Sequence, residues 1–348
     1  MRNSLINRGR LINIDKSKSV GIQYIRAVCA LIVFFSHYTM GLNLPSIISF
    51  RETPLAFIVD GSIAVSVFFV LSGFFYFKTK ELTIEGYLQG VQHKVFHIFP
   101  AHIVVLLCGM ALCNLHFAYD TGVFTVWGNS FWNTNITWID FLRDACCILS
   151  SQPERMINPS TWYLEFEVCF FILMPLLVGV YIKYLWKYAL AFIFVIIGIL
   201  VVGFGMHFFV YNLMACCCGA VARKLTLSYD FKFLQNRLLR ALWLIGCILL
   251  LVHSHLFELH IPTYFMTETG AAMLIITLWK VEMPRIRSWE FLGNISYEFY
   301  LVQQVVLIAL RPIYMEPIQY LLVSLGVSVV SAWLLNTFVT KKINCMLR

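Results

Sequence analysis

Residues 22–44 read IQYIRAVCALIVFFSHYTMGLNL, an apolar run of membrane-spanning length that carries one arginine and one histidine. At ~100° per residue, the eleven steps from Arg26 to His37 make three turns plus ~20°, so both side chains leave the helix on one face. Along the axis they are ~16 Å apart. An arginine at the centre of a bilayer helix costs about 2.5–3.5 kcal/mol on insertion scales, so groups of this kind face a polar cavity rather than lipid. The stretch therefore decides two things at once: a helix bundle in lipid, and the face on which to look for chemistry.

The rest of the chain agrees with that class. Its 348 residues are 60% hydrophobic and 13% charged, whereas a soluble domain carries about 25% charged residues. Apolar runs recur at 22–44, 56–77, 95–115, 160–181, 187–205, 206–223, 238–256, 262–280, 289–310 and 317–339. They predict an all-α polytopic membrane protein of about ten transmembrane helices, without a soluble domain. Pro100, Pro175 and Pro312 fall in or beside these runs, where they kink or cap helices. Residues 1–21 are polar and basic and lack the short apolar core of a cleaved signal peptide, so they are expected to form a cytoplasmic segment. Residues 22–340 would be the membrane domain and 341–348 a short cytoplasmic tail. The long connection from His116 to Pro159 holds Trp127, Trp132 and Trp138, as an interfacial loop does, and Asp140 to Leu149 reads as a short surface helix.

Charge sets the expected orientation. With the N-terminus inside, Arg51, Arg143, Arg155 and Arg311 fall outside, Arg26 lies within the first span, and every other member of the 26 Lys and Arg falls on an inner segment. That asymmetry predicts N-in and C-in. It also accounts for the net charge of +8 through basic loops facing anionic lipid, with no nucleic-acid partner. Arg26 then lies near the inner mouth and His37 towards the outer half. The eleven cysteines sit mostly in apolar runs and form no CxxC pair, so they read as small buried hydrophobes.

Further polar groups accompany the pair. Gly61 to Phe75 reads GSIAVSVFFVLSGFF, whose small residues suit close helix packing, with Ser72 placed to line a cavity as well. Lys94 to His102 reads KVFHIFPAH. His93 and His97 have a metal-pair spacing, but no carboxylate is interleaved and the neighbours are basic, so no metal is expected. A cationic anchor for a phosphate-bearing ligand, from Lys94 and protonated His97, fits better. Trp162 to Phe171 reads WYLEFEVCFF; Glu165 and Glu167 are ~200° apart, the first reading as interfacial and the second as a deeper, paired or functional carboxylate. Glu268 and Glu298 also fall inside spans. Leu292 to Gln304 reads LGNISYEFYLVQQ, where interhelical hydrogen bonding by Gln303 and Gln304 fits as well as a ligand contact. His253, His255 and His260 read as an outer surface loop rather than a metal site.

In these residues the chain resembles the membrane-bound acyltransferase-3 family, whose members O-acylate sugars, antibiotics or lipids, among them O-antigen, capsule and Nod-factor acetyltransferases. The family's Arg-x10-His pair is met by Arg26 and His37, and its FFVLSGF signature by Phe68 to Phe74. Trp162, Leu164, Glu167 and Phe170 meet W-x-L-x-x-E-x-x-F, and Leu292, Gly293, Ser296, Tyr297, Tyr300 and Leu301 meet LG-x-x-SY-x-x-YL. Two patterns depart. R-x-x-R-I-x-P-x-Y becomes Lys94, His97, Ile98, Pro100 and His102, and a histidine often found after the YL dipeptide is Gln303.

The resemblance implies a bacterial inner-membrane enzyme that moves an acetyl group from cytoplasmic acetyl-CoA to a sugar hydroxyl of a surface polysaccharide or its lipid-linked precursor. Arg26, Lys94 and His97 would hold the acyl-CoA. His37 would be the general base or a transient acyl carrier, and Glu167 would orient or balance its imidazole or pair with Arg26. Ser72, Trp162, Tyr297 and Gln303 would line the cavity, Gln303 offering a hydrogen bond but no proton transfer. The competing class is a transporter or flippase of a lipid-linked glycan that uses the same polar residues as a path.

Overall fold

In lipid the backbone has no water to bond, so apolar runs close their hydrogen bonds within themselves and become helices even where β-branched residues abound. The computed structural model describes residues 2–76, 84–115, 122–148, 152–171, 207–256, 263–313 and 316–346. Among them the regular elements are helices, apart from one isolated antiparallel bridge between Leu42 and Phe124. In chain order they are α1 (Arg2–Gly41), α2 (Pro45–Arg51), α3 (Gly61–Tyr76), α4 (Ile84–Leu115), α5 (Val126–Asn129), α6 (Trp138–Ala145) and α7, described over 161–171. Then come α8 (His207–Ser228), α9 (Arg237–Leu256), α10 (Thr263–Lys280), α11 (Arg287–Asn294), α12 (Ser296–Leu310), α13 (Pro317–Leu335) and α14 (Lys341–Met346), the last two joined by a π-helical turn, Asn336–Thr340.

Among the described residues four stretches are long and apolar enough to cross a membrane: Val20–Gly41, Gly90–Leu115, Arg237–Leu256 and Pro317–Met346. Gly61–Phe75 and Ser296–Leu310 are apolar but shorter. The expected run 187–205 and the second half of 160–181 lie outside the described residues. The expected span 289–310 is two helices, broken at Ile295, because α11 is amphipathic: Arg287 and Glu290 flank its exposed Phe291. Helix α1 starts at Arg2, twenty residues earlier than the apolar run, since lysine, arginine and leucine extend a helix readily. The surface helix expected at 140–149 is α6, where the Thr137 side chain accepts from the Asp140 N–H and the Asp140 carboxylate accepts from the Thr137 N–H. His253 and His255, read as loop residues, sit in the last turn of α9; His253 is buried and His255 Nε2 meets Asp60 Oδ2 at 2.8 Å.

The chain divides into two compact units. The first comprises Met1–Val33, Pro54–Lys78 and Tyr211–Ser296. Within it α3 crosses α8 at backbone contact: a Cβ on Gly73 would meet the Cys216 carbonyl oxygen, and one on Gly219 the Val70 carbonyl oxygen. The small-residue signature thus serves close approach, with dispersion gained along both helices. Trp243 Nε1 donates to Thr277 Oγ1 at 2.9 Å and ties α9 to α10.

The second unit comprises Phe34–Thr53, Thr79–Val210 and Tyr297–Arg348. Its helix α13 turns Tyr320, Ser324, Ser328 and Ala332 inward, one side chain per turn of small or hydrogen-bonded bulk. Beside α4 lies a polar knot. Asp144 is buried and accepts from Arg143 at 2.9 Å and from the Ile157 N–H at 2.8 Å, while its own carbonyl oxygen lies 2.9 Å from Nε2 of the fully buried His102. These bonds satisfy loop backbone that would otherwise be buried unpaired.

Two expected outcomes follow from this packing. Gly219→Ala forces two helix backbones apart and lowers the unfolding temperature in detergent, by about 1–3 kcal/mol of overpacking. Gly246→Ala, on α9 where a Cβ meets nothing within 4 Å, raises it by up to about 1 kcal/mol of helix propensity. Equal effects at the two sites would contradict the close crossing. Acidification tests α6. Burial pushes the Asp140 carboxyl up, but hydrogen bonds from Thr137 and the charges of Arg143 and Arg155 outweigh it and hold it below its ordinary value. A lowered folded-state value gives stability that is present above about pH 4 and lost as pH falls through that value. The wild type should therefore lose more unfolding temperature than Asp140→Asn between about pH 6 and pH 3; parallel curves would exclude this contribution.

Candidate functional site

His37 lies one turn before the end of α1, in the second unit, and among the described residues its ring has one hydrogen-bond partner. The carboxamide Nε2 of Gln303, a fully buried residue of α12, stands 2.8 Å from His37 Nδ1. Glu167 was expected to orient or balance the imidazole or to pair with Arg26; the hydrogen bond to the ring comes from Gln303. Glu167 forms an ion pair with Lys94, Nζ to Oε1 at 3.1 Å, and the same ammonium lies 3.9 Å from the Phe171 ring centroid. Lys94 keeps 32% of its side chain exposed and Glu167 9%, so the lysine can still be reached by a ligand while the carboxylate is largely covered.

Above the imidazole, towards the end of α1, opens a pocket. His37 lines it together with Tyr38, Phe124, Trp127, Arg311 and Tyr320. The Trp127 indole stacks on the His37 ring with centroids 6.0 Å apart and planes at 30°. Tyr38 and Tyr320 stack on each other at 5.8 Å and spend their hydroxyls on the carbonyls of Pro317 and Leu307, each at 2.7 Å. Both therefore offer the pocket a ring rather than a donor. Arg311 is buried and donates to the carbonyl oxygens of Gly128 and, at 2.6 Å, Phe131.

The segment carrying Trp127 is fixed to the end of α1 by several independent bonds. Asn43 N–H donates to Val123 O at 2.8 Å, and Thr125 N–H to Gly41 O at 2.9 Å. Thr125 Oγ1 donates to Met40 O at 2.7 Å and accepts from the Gly128 N–H at 2.9 Å, capping α5. Gly128 lies so close to Gly41 that a Cβ there would be 2.5 Å from the Gly41 carbonyl oxygen. No side chain fits.

Behind the pocket, α7 and α12 are joined by a buried network. Ser160 Oγ donates to Gln304 Oε1 at 2.8 Å, Tyr300 Oη to Ser160 O at 3.0 Å, and Asn158 Nδ2 to Leu301 O at 2.9 Å. Trp162 packs edge-on against Tyr163 and Phe166. Within α4, His97 stacks on Tyr297 at 5.8 Å and on His93 at 6.4 Å, its Nδ1 standing 3.5 Å from Asn344 Nδ2. Tyr297 Oη donates to Ile98 O at 2.9 Å.

The expected site residues thus distribute as follows. Arg26 and Ser72 belong to the first unit, while His37, Lys94, His97, Trp162, Glu167, Tyr297 and Gln303 belong to the second. Trp127 and Arg311, both at the pocket, were not foreseen as site residues. Trp127 had looked like one more interfacial tryptophan, and Arg311 like an outer-loop charge. Among the described residues no three His, Cys, Asp or Glu side chains stand close enough together to hold a metal ion.

Chemically, the second unit presents an oriented imidazole at the floor of an aromatic pocket and, separately, a partly exposed lysine for an anion. No curated protein and no solved structure matches the chain. A family model described as an acyltransferase domain matches residues 19–337, a span that takes in all four motifs read from the sequence, and the chain belongs to the membrane acyltransferase-3 family.

Proposed function

We propose that this membrane acyltransferase transfers an acetyl group from acetyl-CoA to a sugar hydroxyl of a surface glycan or its lipid-linked precursor. The observation that carries the reading is the His37–Gln303 hydrogen bond at the floor of the pocket. A general base needs a free lone pair, and a carboxamide can supply either of two environments. With its nitrogen towards the ring it donates to Nδ1 and leaves Nε2 protonated; turned by 180°, its Oε1 accepts from Nδ1–H and leaves the lone pair on Nε2. The second arrangement is the reactive one. A neutral amide holds this tautomer without adding the negative charge of a carboxylate.

The step then balances simply. His37 Nε2 takes the proton of the acceptor hydroxyl as its oxygen bonds to the thioester carbonyl carbon. The C–S bond breaks, and the imidazolium returns the proton to the departing thiolate. The products are the O-acetyl sugar and CoA thiol. Lys94 is the cation proposed for the donor's phosphates, with His97 beside Tyr297 nearby in the chain; the family resemblance gives Arg26 the same task. Lys94 must exchange Glu167 for phosphate when the donor binds, an exchange of one anionic partner for another. The positive-inside bias of the sequence supports a donor arriving from the cytoplasm, the acceptor being met from the other side of a bacterial inner membrane.

Transfer of labelled acetyl from acetyl-CoA to glycan that has been stripped of its esters by mild alkali, with the protein in nanodiscs, tests the assignment. His37→Ala should abolish transfer while the protein still elutes as a folded species; full activity would remove His37 from the chemistry. Gln303→Leu should lower kcat by about 10–100-fold, as loss of an orienting partner does, with the acetyl-CoA KM little changed. Lys94→Gln should raise the acetyl-CoA KM, whereas Glu167→Gln should leave it unchanged or lower it, because the lysine is released. The opposite order would make the ion pair structural.

A further inference from the structure

We infer that Trp127 is the platform on which the acceptor sugar stacks, and that Arg311 is the residue that positions it. This rests on the reading of His37 as the base. Three observations carry it. Trp127 is half-exposed at the pocket and stacked over the His37 ring, so a pyranose laid on the indole is held within reach of the imidazole. Among the described residues its indole N–H makes no hydrogen bond, in contrast to those of Trp132 and Trp243, which donate to Ile157 O and Thr277 Oγ1 at 3.0 and 2.9 Å. Buried or half-buried tryptophans ordinarily use that donor; at a pocket mouth, an unused one is available to a ligand hydroxyl.

The third observation is rigidity. The turn bearing Trp127 is bonded on one side to Met40 and Gly41, through Thr125, and on the other to Arg311, through the carbonyls of Gly128 and Phe131. A buried guanidinium spending two donors on one four-residue turn fixes the plane of the indole. A ligand then loses no loop entropy on binding there. The walls are chemically matched to a sugar: Tyr38 and Tyr320 have their hydroxyls occupied and add apolar ring surface for C–H faces, while the indole N–H, the imidazole, Gln304 and Arg311 supply polar groups. Such a pocket is mostly aromatic with a few convergent polar groups.

The experiment separates acceptor from donor effects. The acceptors are the surface glycan of the producing cells and its lipid-linked precursor, each de-O-acetylated with mild alkali; initial rates are measured against each acceptor and against acetyl-CoA. Trp127→Ala should raise the acceptor KM at least about 10-fold, the loss of one stacking contact, and leave the acetyl-CoA KM within about two-fold. Trp127→Phe, which keeps a ring and lacks the N–H, should fall between. Arg311→Lys, which lacks the planar fork of the guanidinium, should raise the acceptor KM without raising that of acetyl-CoA. A rise in both KM values, or a fall in kcat alone, would make Trp127 a roof for the imidazole and overturn the subsite. An unchanged acceptor KM would overturn it too. Failure of the wild type to acetylate either acceptor removes the sugar reading itself, and activity surviving in His37→Ala removes the base; both differ from failure of Trp127→Ala to act on KM.

Discussion

The hydrogen bond between His37 and Gln303 is the constraint on which this site depends. A buried imidazole must bond something, and the partner chosen fixes which nitrogen is free. A carboxylate in that place would draw the ring towards the charged form; a carboxamide fixes its orientation without doing so. Gln303 can act this way because it is itself fully buried on α12, where its neighbour Gln304 is engaged by Ser160 and Tyr300 donates to Ser160 O. The result is an imidazole held by neutral groups alone.

A second constraint operates on the other side of the ring. Irregular backbone is tolerated near a membrane interior only where its amides and carbonyls find partners. The segment around α5 meets that demand with Thr125, Gly41, Asn43 and Arg311 rather than with a regular element. Satisfying the backbone and holding Trp127 over His37 are therefore one and the same set of bonds. The glycine at 128 is part of it, since the approach to Gly41 leaves no room for a Cβ. A turn that must be bonded on both sides to survive is also a turn that cannot easily move, and a stacking surface benefits from that.

The sequence disclosed the helices and the histidine because both follow from local rules. Apolar length and the cost of charge in lipid single out 22–44 without knowledge of any partner. The small residues of FFVLSGF likewise announce close packing, which Gly73 meets at Cys216. What stayed hidden is pairing at a distance. Gln303 is 266 positions from His37 and Arg311 is 183 from Gly128, and no periodicity relates such residues. A deep carboxylate such as Glu167 calls for a partner, but the sequence does not say which; Lys94, 73 positions away, is a cation that meets it. Arg311 was misjudged for a related reason, because a charge counted as an outer-loop residue by its neighbours in sequence is buried by its neighbours in space. The break at Ile295 escaped notice since α11 and α12 together have the apolar content of one span.

The positions where the chain departs from the family pattern share a physical theme. His102 stands where the pattern has tyrosine, and it is fully buried with Nε2 at 2.9 Å from Asp144 O. A hydrogen-bonding ring stands there, and it ties α4 to the last turn of α6. His97 stands where the pattern has arginine and stacks flat on Tyr297, so a planar group is kept although the permanent charge is not. Gln303 replaces a histidine and keeps the bond to His37 while giving up the capacity to titrate. At 97 the change removes a permanent charge and at 303 a group that titrates, whereas at 102 it introduces a ring that can be protonated. Under the proposed mechanism, a glutamine at 303 would leave proton transfer to the His37 imidazole, and the donor's phosphates would compete with Glu167 for Lys94.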